Sequence, residues 1–264
     1  MINVDREVVR PGDIPLLLRY TDDGRKKPAV IVVHGGGRGF NKDWAMRALP
    51  MDGSPLVRAY VDMPQHGDRG DPSSMVRQWL RDPVGELIAP IIIQMRKDLS
   101  RVVDYLHGRE EVDPDRIGAC GWSSGGTAVI LAVPRDKRIK AAATVSAAQT
   151  PRHMLLPEAR GIEQWPLRTL PTREEVEWLT REEDPETWAA QFFPTSILLM
   201  HGERDLRVPP TSSRRLYNWL APHYQADPSR LTLVEYPEAD HRPTAQMGRD
   251  IERWFTTVLG PAGQ

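Results

Sequence analysis

Ser123 lies in the run Gly-Trp-Ser-Ser-Gly at residues 121–125, which fits the pattern Gly-x-Ser-x-Gly. A serine in a tight turn between a strand and a helix is held in strained backbone that presents its hydroxyl above the sheet, where it can attack a carbonyl carbon. The flanks predict this setting, because residues 116–120 are typical of a buried strand and residues 127–132 of a buried helix. The pattern alone also fits an ordinary Gly/Ser turn, so its meaning depends on other residues.

An acid and a histidine follow Ser123 where a serine nucleophile needs them. Asp205 comes after the apolar run 196–201, and His241 comes after a second strand-like run at 231–236. A histidine can take the serine proton, and a carboxylate can orient that histidine and stabilise its charged form. The order Ser, Asp, His, with each residue just beyond a predicted strand, favours acyl-transfer chemistry.

Three other acids compete with Asp205 for the role of the carboxylate. Glu203 comes directly after the predicted strand, which is early in the turn for a side chain that must reach across. Asp240 is adjacent to His241, and consecutive side chains diverge in an extended segment. Glu238 is the third alternative. We therefore expect Asp205 to be the acid.

A glycine-rich loop at residues 34–37 follows the β-branched run 29–33. Backbone N–H groups in such a loop can bind the oxyanion that forms when a nucleophile adds to a carbonyl. We expect one donor from Gly36 or Gly37 and the other from the N–H of Ser124. The loop lacks the Gly-x-Gly-x-x-Gly pattern of dinucleotide-binding loops, which argues against a nucleotide cofactor.

The elements that must position these residues alternate between strand and helix. Strands are predicted near 29–34, 56–63, 116–121, 141–145, 196–201 and 231–236, after an edge hairpin at 7–10 and 14–20. Helices are predicted near 41–49, with Asn41 as the N-cap, and near 86–107 and 244–259. This alternation predicts a parallel sheet with helices on both faces, whose carboxyl edge carries the site.

With these motifs, the sequence resembles the α/β-hydrolase superfamily. It is most similar to serine hydrolases related to dienelactone hydrolases, small bacterial esterases and the catalytic domain of prolyl oligopeptidases. The resemblance rests on residues 34–37, 62–67, 121–126, 201–205 with 208–209, and 240–241. It implies an α/β-hydrolase fold with a mostly parallel eight-stranded sheet in a single domain spanning residues 1–264. It also implies carboxylic ester hydrolysis through an acyl-enzyme on Ser123, with His241 and Asp205 completing a triad.

Other activities remain open within this resemblance. A peptidase acting on short peptides is one alternative, which the absence of a propeller weakens, and a biosynthetic thioesterase or cyclase would use the same residues. Dehalogenases and epoxide hydrolases use a carboxylate nucleophile, and dienelactone hydrolases proper use cysteine where this chain has Ser123. A non-catalytic receptor on this fold usually loses a triad member, whereas all three are present here.

The segment at about 150–193 interrupts the strand-helix alternation and is too long for an ordinary crossover. Its many prolines and three tryptophans favour a small helical cap over the site. A capping box beginning at Thr172 predicts a helix through Leu179, and a second helix is predicted to begin at Asp184.

Tryptophans are the candidate substrate contacts. In the cap, Trp165, Trp178 and Trp188 can pack the cap onto the body or line an apolar pocket. We expect at least one of them, with Trp165 as the candidate, to meet substrate. Trp122, beside Ser123, is the other candidate and faces the pocket or sits beneath it.

Composition excludes several classes of function. The net charge of the 264 residues is −1, which provides no field for nucleic acid or an anionic membrane, and no apolar run approaches the roughly 18 residues of a membrane span. The N-terminus does not resemble a signal peptide, and the single cysteine, Cys120, fits a reducing cytoplasm.

The seven histidines show no metal-ligand spacing. His34, His66 and His201 are predicted to brace loops. We expect no metal and no cofactor, a small-molecule ester or acyl substrate, and an oligomeric state that the sequence leaves open, a homodimer included.

Overall fold

The computed structural model describes residues 2–37, 39–70, 84–150 and 172–260. Their eight strands form one sheet, and they are β1 (Ile2–Val9), β2 (Leu16–Asp22), β3 (Lys27–Val33), β4 (Val57–Val61), β5 (Val112–Trp122), β6 (Ile139–Val145), β7 (Ser196–Gly202) and β8 (Leu231–Tyr236). The strand order is β1-β2-β4-β3-β5-β6-β7-β8. The hairpin β1-β2 and the pair β2-β4 are antiparallel, and the other neighbours are parallel.

Helices cover both faces of this sheet. The described residues contain the α-helices α1 (Lys42–Ala48), α2 (Gln94–His107), α3 (Ser124–Ala132), α4 (Arg173–Trp178), α5 (Thr211–Leu220) and α6 (Ala245–Val258). Apolar side chains of α2, α3 and α5 pack into the core on one face, and those of α1 and α6 pack into the core on the other. The fold is therefore that of an α/β-hydrolase, as the sequence predicted.

Burial explains why the predicted strands and helices form where they do. Every residue of β3 and β7 is buried, as expected for central strands that are covered on both faces. On α2 the four apolar residues that gave the helical spacing, Leu99, Val102, Val103 and Leu106, are all buried. The Asn41 side chain accepts a hydrogen bond from the N–H of Trp44 and caps α1, which confirms the predicted N-cap.

The long helix predicted near 86–107 is not a uniform α-helix. Its first part, Val84–Ile93, is a π-helix, and α2 begins only at Gln94. Pro90 lies inside the π-helical part, and proline has no N–H to donate and crowds the preceding turn. The wider helical form accommodates the proline without ending the helix.

The described part of the predicted cap, residues 172–193, contains less regular helix than expected. The capping box at Thr172 is present and begins α4, but the chain turns into a π-helix at Leu179–Glu183. The prediction of a second helix beginning at Asp184 is wrong, because residues 185–188 form a turn. The Asp184 side chain accepts the N–H of Glu186, and this local turn leads to a 3₁₀-helix at Ala189–Gln191. Residues 151–171 of the predicted cap lie outside the described part of the chain.

Two contacts attach residues 172–193 to the helical segment before β5 and to the turn after α3. Trp178 and Leu179 pack against Ile88 and Ile93 in a small apolar cluster. The Glu183 carboxylate, which is 5% exposed, pairs with Arg96 at 3.0 Å and with Arg135 at 3.3 Å. Across the described ranges, no helix is long and apolar enough to cross a bilayer.

Candidate active site

The candidate residues lie together at the carboxyl edge of the sheet. The strands β3, β5, β7 and β8 run parallel, so the loops that follow them meet at one edge. These loops carry residues 34–37, Ser123, Asp205 and His241 in turn.

Ser123 occupies a strained turn between β5 and α3. Its φ is 54° and its ψ is −126°, which is unusual for a residue with a side chain. The turn is held by hydrogen bonds from the N–H of Ser123 to the carbonyl of Val145 and from the N–H of Thr127 to the carbonyl of Ser123. Glycine is required at position 125, because a Cβ there would overlap the carbonyl oxygen of His34. The sequence prediction of a strained strand-to-helix turn is thus confirmed.

A continuous line of hydrogen bonds joins Ser123, His241 and Asp205. The Oγ of Ser123 lies 3.0 Å from Nε2 of His241, and Nδ1 of His241 lies 2.8 Å from Oδ2 of Asp205. An ionised carboxylate can only accept, so the hydrogen of the neutral imidazole is on Nδ1. Nε2 then has a free lone pair that accepts the hydroxyl of Ser123.

Asp205 is buried and surrounded by donors. Its Oδ1 accepts the N–H groups of Arg207 at 2.8 Å and Val208 at 2.9 Å, and His201 lies 3.3 Å from its Oδ2. Burial raises the pKa of this carboxyl, but hydrogen bonds from His201, His241 and Val208 outweigh burial and hold the pKa well below its ordinary value. Asp205 is therefore an anion at neutral pH.

The competing acids face elsewhere. Glu203 is exposed, and Glu238 pairs with Arg204 at 2.6 Å on the surface. The Asp240 side chain is exposed and accepts the N–H of Arg242 within its own turn. Of the four acids considered, Asp205 contacts the His241 imidazole.

The loops that deliver Asp205 and His241 are joined to each other. Arg204 donates its N–H to the carbonyl of Ala239, and Glu203 donates to that of Tyr236. Gly202 permits this approach, because a Cβ there would overlap the carbonyl oxygens of Ala239 and Asp240. The distance between acid and base is thus set by backbone contacts.

Trp122 lies beneath the site and offers little surface to a substrate. Its side chain is 3% exposed, and its indole N–H donates to the carbonyl of His241 at 2.7 Å. The ring also packs against Phe40, Trp44 and the His241 imidazole. Of the two alternatives that the sequence left open for Trp122, the structure has the ring beneath the site, which argues against its role as a candidate substrate contact. The second candidate contact, Trp165, lies outside the described residues.

Gly36 and Gly37 differ in what their N–H groups bind. The N–H of Gly36 points to Ser124 Oγ at 2.5 Å, beside the first turn of α3. The N–H of Gly37 instead donates to Nε2 of His66 at 2.9 Å. The sequence predicts one oxyanion donor from Gly36 or Gly37, and the contacts favour Gly36: the N–H of Gly37 is bound to the ring of the buried His66, whereas that of Gly36 is bound to the Ser124 hydroxyl, which a substrate can displace. The candidate donors are then the N–H groups of Gly36 and Ser124.

Two buried neutral histidines hold the glycine loop in place. His34 donates from Nδ1 to the carbonyl of Gly35 and accepts the N–H of Met63 on Nε2. His66 donates from Nδ1 to the carbonyl of Pro64, and its Nε2 accepts from Gly37. Burial lowers the pKa of His34 to about 4 and also lowers that of His66. The predicted bracing role of both histidines is confirmed.

A buried ion pair, which sequence reasoning missed, fixes the same loops. Nζ of Lys42 lies 2.9 Å from Asp62 and 2.8 Å from Asp68, and the Lys42 N–H also donates to Asp62. Lysine at the start of a helix is ordinarily exposed, so the sequence carries no signal for its burial. Within the described ranges, no cluster of three or more His, Cys, Asp or Glu side chains could hold a metal ion.

The sequence model of the prolyl oligopeptidase family matches residues 94–261, which is more than half of the chain and includes Ser123, Asp205 and His241. The chain belongs to this family. It is therefore a serine hydrolase of the esterase or peptidase kind.

Two bacterial proteins are similar to this chain in sequence. The Bacillus subtilis (strain 168) protein named "Putative esterase YitV" is 23% identical over 98% of this chain and 100% of its own length. The Escherichia coli (strain K12) protein YcjY is 29% identical over 48% of this chain and 37% of its own length.

Solved structures share the fold. TT1662 from Thermus thermophilus superposes with a TM-score of 0.79 at 21% identity, over 98% of this chain and 99% of its own. Acetyl xylan esterase 1 from Thermoanaerobacterium sp. JW/SL YS485 gives 0.69 at 18% identity, over 93% and 79%. A puromycin-hydrolyzing peptidase of Mycobacterium tuberculosis gives 0.66 at 18% identity, over 97% of this chain and 39% of its own.

Proposed function

We propose that this protein hydrolyses carboxylic esters through an acyl-enzyme on Ser123. The observation that carries the proposal is the line of hydrogen bonds from Ser123 Oγ through His241 to Asp205, with donor-acceptor distances of 3.0 and 2.8 Å. A hydroxyl hydrogen-bonded to an imidazole that is oriented by a buried carboxylate is the arrangement of an activated serine nucleophile.

The reaction then follows from the positions of these groups. Ser123 Oγ adds to the ester carbonyl carbon while Nε2 of His241 takes the hydroxyl proton. Asp205, held as an anion, stabilises the imidazolium. His241 next gives its proton to the departing alkoxide oxygen, and the carbon-oxygen bond breaks to leave the acyl group on Ser123. Water enters, is deprotonated by His241, and releases the acid by the same two steps.

The N–H groups of Gly36 and Ser124 are the proposed oxyanion donors. Both lie beside Ser123, one on the loop after β3 and one on the first turn of α3, where N–H groups have no partner within the helix. The N–H of Gly36 is hydrogen-bonded to the Ser124 hydroxyl. A carbonyl oxygen that takes this N–H must displace that hydroxyl.

Esters are favoured over peptides because the relatives named as esterases are matched over more of their own length than the one named as a peptidase. YitV, whose name describes an esterase, is matched over its entire length, and the acetyl xylan esterase over 79%. The puromycin-hydrolyzing peptidase is matched over 39%. Peptide hydrolysis by the same triad is the second candidate, because the family model is that of prolyl oligopeptidases.

We further propose that residues 1–264 form one domain and that the segment at about 150–193 covers the site. Support comes from its described part, where Trp178 and Glu183 attach residues 172–193 to the helix preceding β5, the strand that ends at Ser123.

A panel of substrates tests the proposal. Wild-type protein is assayed on p-nitrophenyl acetate, butyrate and octanoate and on aminoacyl p-nitroanilides, beside Ser123→Ala. We expect ester turnover well above anilide turnover, and a loss of several orders of magnitude in Ser123→Ala with an unchanged unfolding temperature. Faster anilide cleavage would favour the peptidase. A variant that kept a tenth of the ester activity would refute the role of Ser123.

A further inference from the structure

The carboxylate of Asp205 receives a second imidazole that the triad does not include. His201 stands at the end of β7, fully buried, with Nε2 3.3 Å from Oδ2 of Asp205. The same oxygen accepts Nδ1 of His241 at 2.8 Å. Two histidines thus lie near one carboxylate oxygen, His201 from the end of β7 and His241 from the loop after β8.

The orientation of His201 is fixed at both ring nitrogens. Nε2 lies 2.7 Å from the carbonyl oxygen of Val208, which can only accept, so Nε2 carries the hydrogen. Nδ1 lies 2.7 Å from Oγ of Ser213 and accepts its hydroxyl. The His201 ring therefore has a single tautomer, in which the hydrogen is on Nε2, the ring nitrogen nearer to Asp205.

Ser213 is itself held by a further donor. Its Oγ accepts Nε2 of Gln149 at 3.0 Å, and that amide also donates to Thr144 at 2.9 Å. Gln149, Thr144 and Ser213 are fully buried. The hydrogen bonds from Gln149 through Ser213 to His201 therefore run in one direction, and the Nε2–H of His201, which donates to the carbonyl of Val208, lies 3.3 Å from Oδ2 of Asp205.

His201 also determines where the loop after Asp205 can lie. It binds the carbonyl of Val208, while the N–H of the same residue donates to Oδ1 of Asp205 at 2.9 Å. One residue of the loop thus connects the ring of His201 with the far oxygen of the carboxylate. Loss of the His201 ring would remove one contact that holds this loop and one contact that limits rotation of the Asp205 carboxylate.

We propose that His201 is a positioning residue, which fixes the Asp205 carboxylate so that Oδ2 faces His241. This inference rests on the proposed function. His201 touches no substrate and acts only through Asp205, and Ser213 acts through His201. A misdirected carboxylate would leave His241 with a poorly oriented ring, and errors of about 1 Å in such groups cost about 100-fold in rate.

Three variants and a control test the proposal on ester hydrolysis. His201→Asn keeps a group near Nδ1 but loses Nε2, and we expect kcat to fall about 10- to 100-fold with KM changed less than about twofold. His201→Gln places an amide N–H near Nε2 and should restore most of the lost kcat. Ser213→Ala should lower kcat about two- to fivefold. The exposed His223→Asn, a matched substitution away from the site, should leave kcat unchanged.

A double-mutant cycle separates positioning from a general structural role. In an Asp205→Asn background, His201→Asn should have almost no further effect on kcat, because its action passes through the carboxylate. An undiminished effect there, or an unchanged kcat in His201→Asn, would overturn the proposal and leave the triad intact. If Asp205→Asn itself had no effect, the proposed function would fail instead. Should His201→Asn not fold, an unchanged kcat in Ser213→Ala would overturn the proposal.

Discussion

At the scale of single residues, the assignment of Asp205 depends on which carboxylate reaches His241. Oδ2 of Asp205 lies 2.8 Å from Nδ1 of His241, whereas Glu203 and Asp240 are exposed. Replacing the acid by its amide removes the charge that stabilises the imidazolium and disturbs the tautomer of the ring.

We therefore expect Asp205→Asn to lower kcat about 10⁴-fold. The matched neighbours Glu203→Gln and Asp240→Asn should each stay within about twofold, because neither contacts the imidazole. Steady-state kinetics on one aryl ester would measure all three. If Glu203→Gln or Asp240→Asn lowered kcat more than Asp205→Asn, the role of the triad acid would belong to that residue instead.

The Ser124 hydroxyl gives a second prediction at this scale. It accepts the N–H of Gly36 at 2.5 Å, and a substrate carbonyl must displace it. A hydrogen bond of this kind contributes about 1 kcal/mol, so its removal should help the transition state by a few-fold.

Ser124→Ala should accordingly raise kcat/KM about two- to fivefold, while the exposed Ser229→Ala should not. Both are measured on the same ester. A fall in kcat/KM for Ser124→Ala would mean that the hydroxyl donates to the oxyanion instead of competing with it.

At the scale of elements, the attachment of residues 172–193 relies on a buried charge. Glu183 is paired with Arg96 and Arg135, and Arg135 also lies over the ring of Trp188 at 4.7 Å. Neutralising Glu183 would leave two largely buried guanidinium groups without their shared partner. Removal of one partner from a buried ion pair typically costs 3–5 kcal/mol.

Glu183→Gln should therefore reduce the free energy of unfolding by about 3 kcal/mol. Its neighbour Glu182→Gln is the control, because Glu182 pairs with Arg181 on the surface and such pairs contribute about 1 kcal/mol or less. Urea unfolding of both variants measures the difference. Equal stability of the two would show that the buried pair does not hold the segment.

The elements also show what could be read from the sequence. The β-branched run before His34, the Gly-x-Ser-x-Gly turn and the spacing on α2 are local signals, and the structure has the corresponding strand, turn and helix. The π-helix around Pro90 and the turn at Asp184 depart from local propensity. Both depend on packing between segments, which periodicity does not record.

The candidate site was also predictable from the sequence only in part. The chain order of Ser123, Asp205 and His241 led to residues that the structure brings within hydrogen-bonding distance. The choice between Gly36 and Gly37 could not be made, because it depends on His66, a residue of another loop. The burial of Trp122 depends on Phe40 and on neighbouring aromatic rings for the same reason.

At the scale of the whole molecule, buried neutral histidines make stability depend on pH. Burial lowers the pKa of His34 from 6.5 to about 4, so between those values the unfolded chain binds a proton that the folded chain does not. Stability is therefore full above pH 6.5 and falls as the pH drops toward 4. The pKa of Asp205 is lowered from 3.8, so the stabilisation it supplies is lost only at lower pH.

We expect the free energy of unfolding to fall by about 2–3 kcal/mol through His34 between pH 7.5 and 4.5. His34→Gln, which cannot take up the proton, should lose that much less over the same interval, whereas the exposed His223→Gln should behave as wild type. Urea unfolding at the two pH values measures this dependence. A wild-type pH dependence in His34→Gln would contradict the account.

The central claim is that Ser123 carries the acyl group. Incubation with a fluorophosphonate, or with an aryl ester quenched in acid during turnover, followed by peptide mass spectrometry, tests it most directly. The account predicts a phosphonyl or acyl group on the peptide that contains Ser123. This labelling should be absent in Ser123→Ala, and its rate should be much lower in His241→Ala. A modification on any other residue, or ester turnover in Ser123→Ala at the wild-type rate, would contradict it.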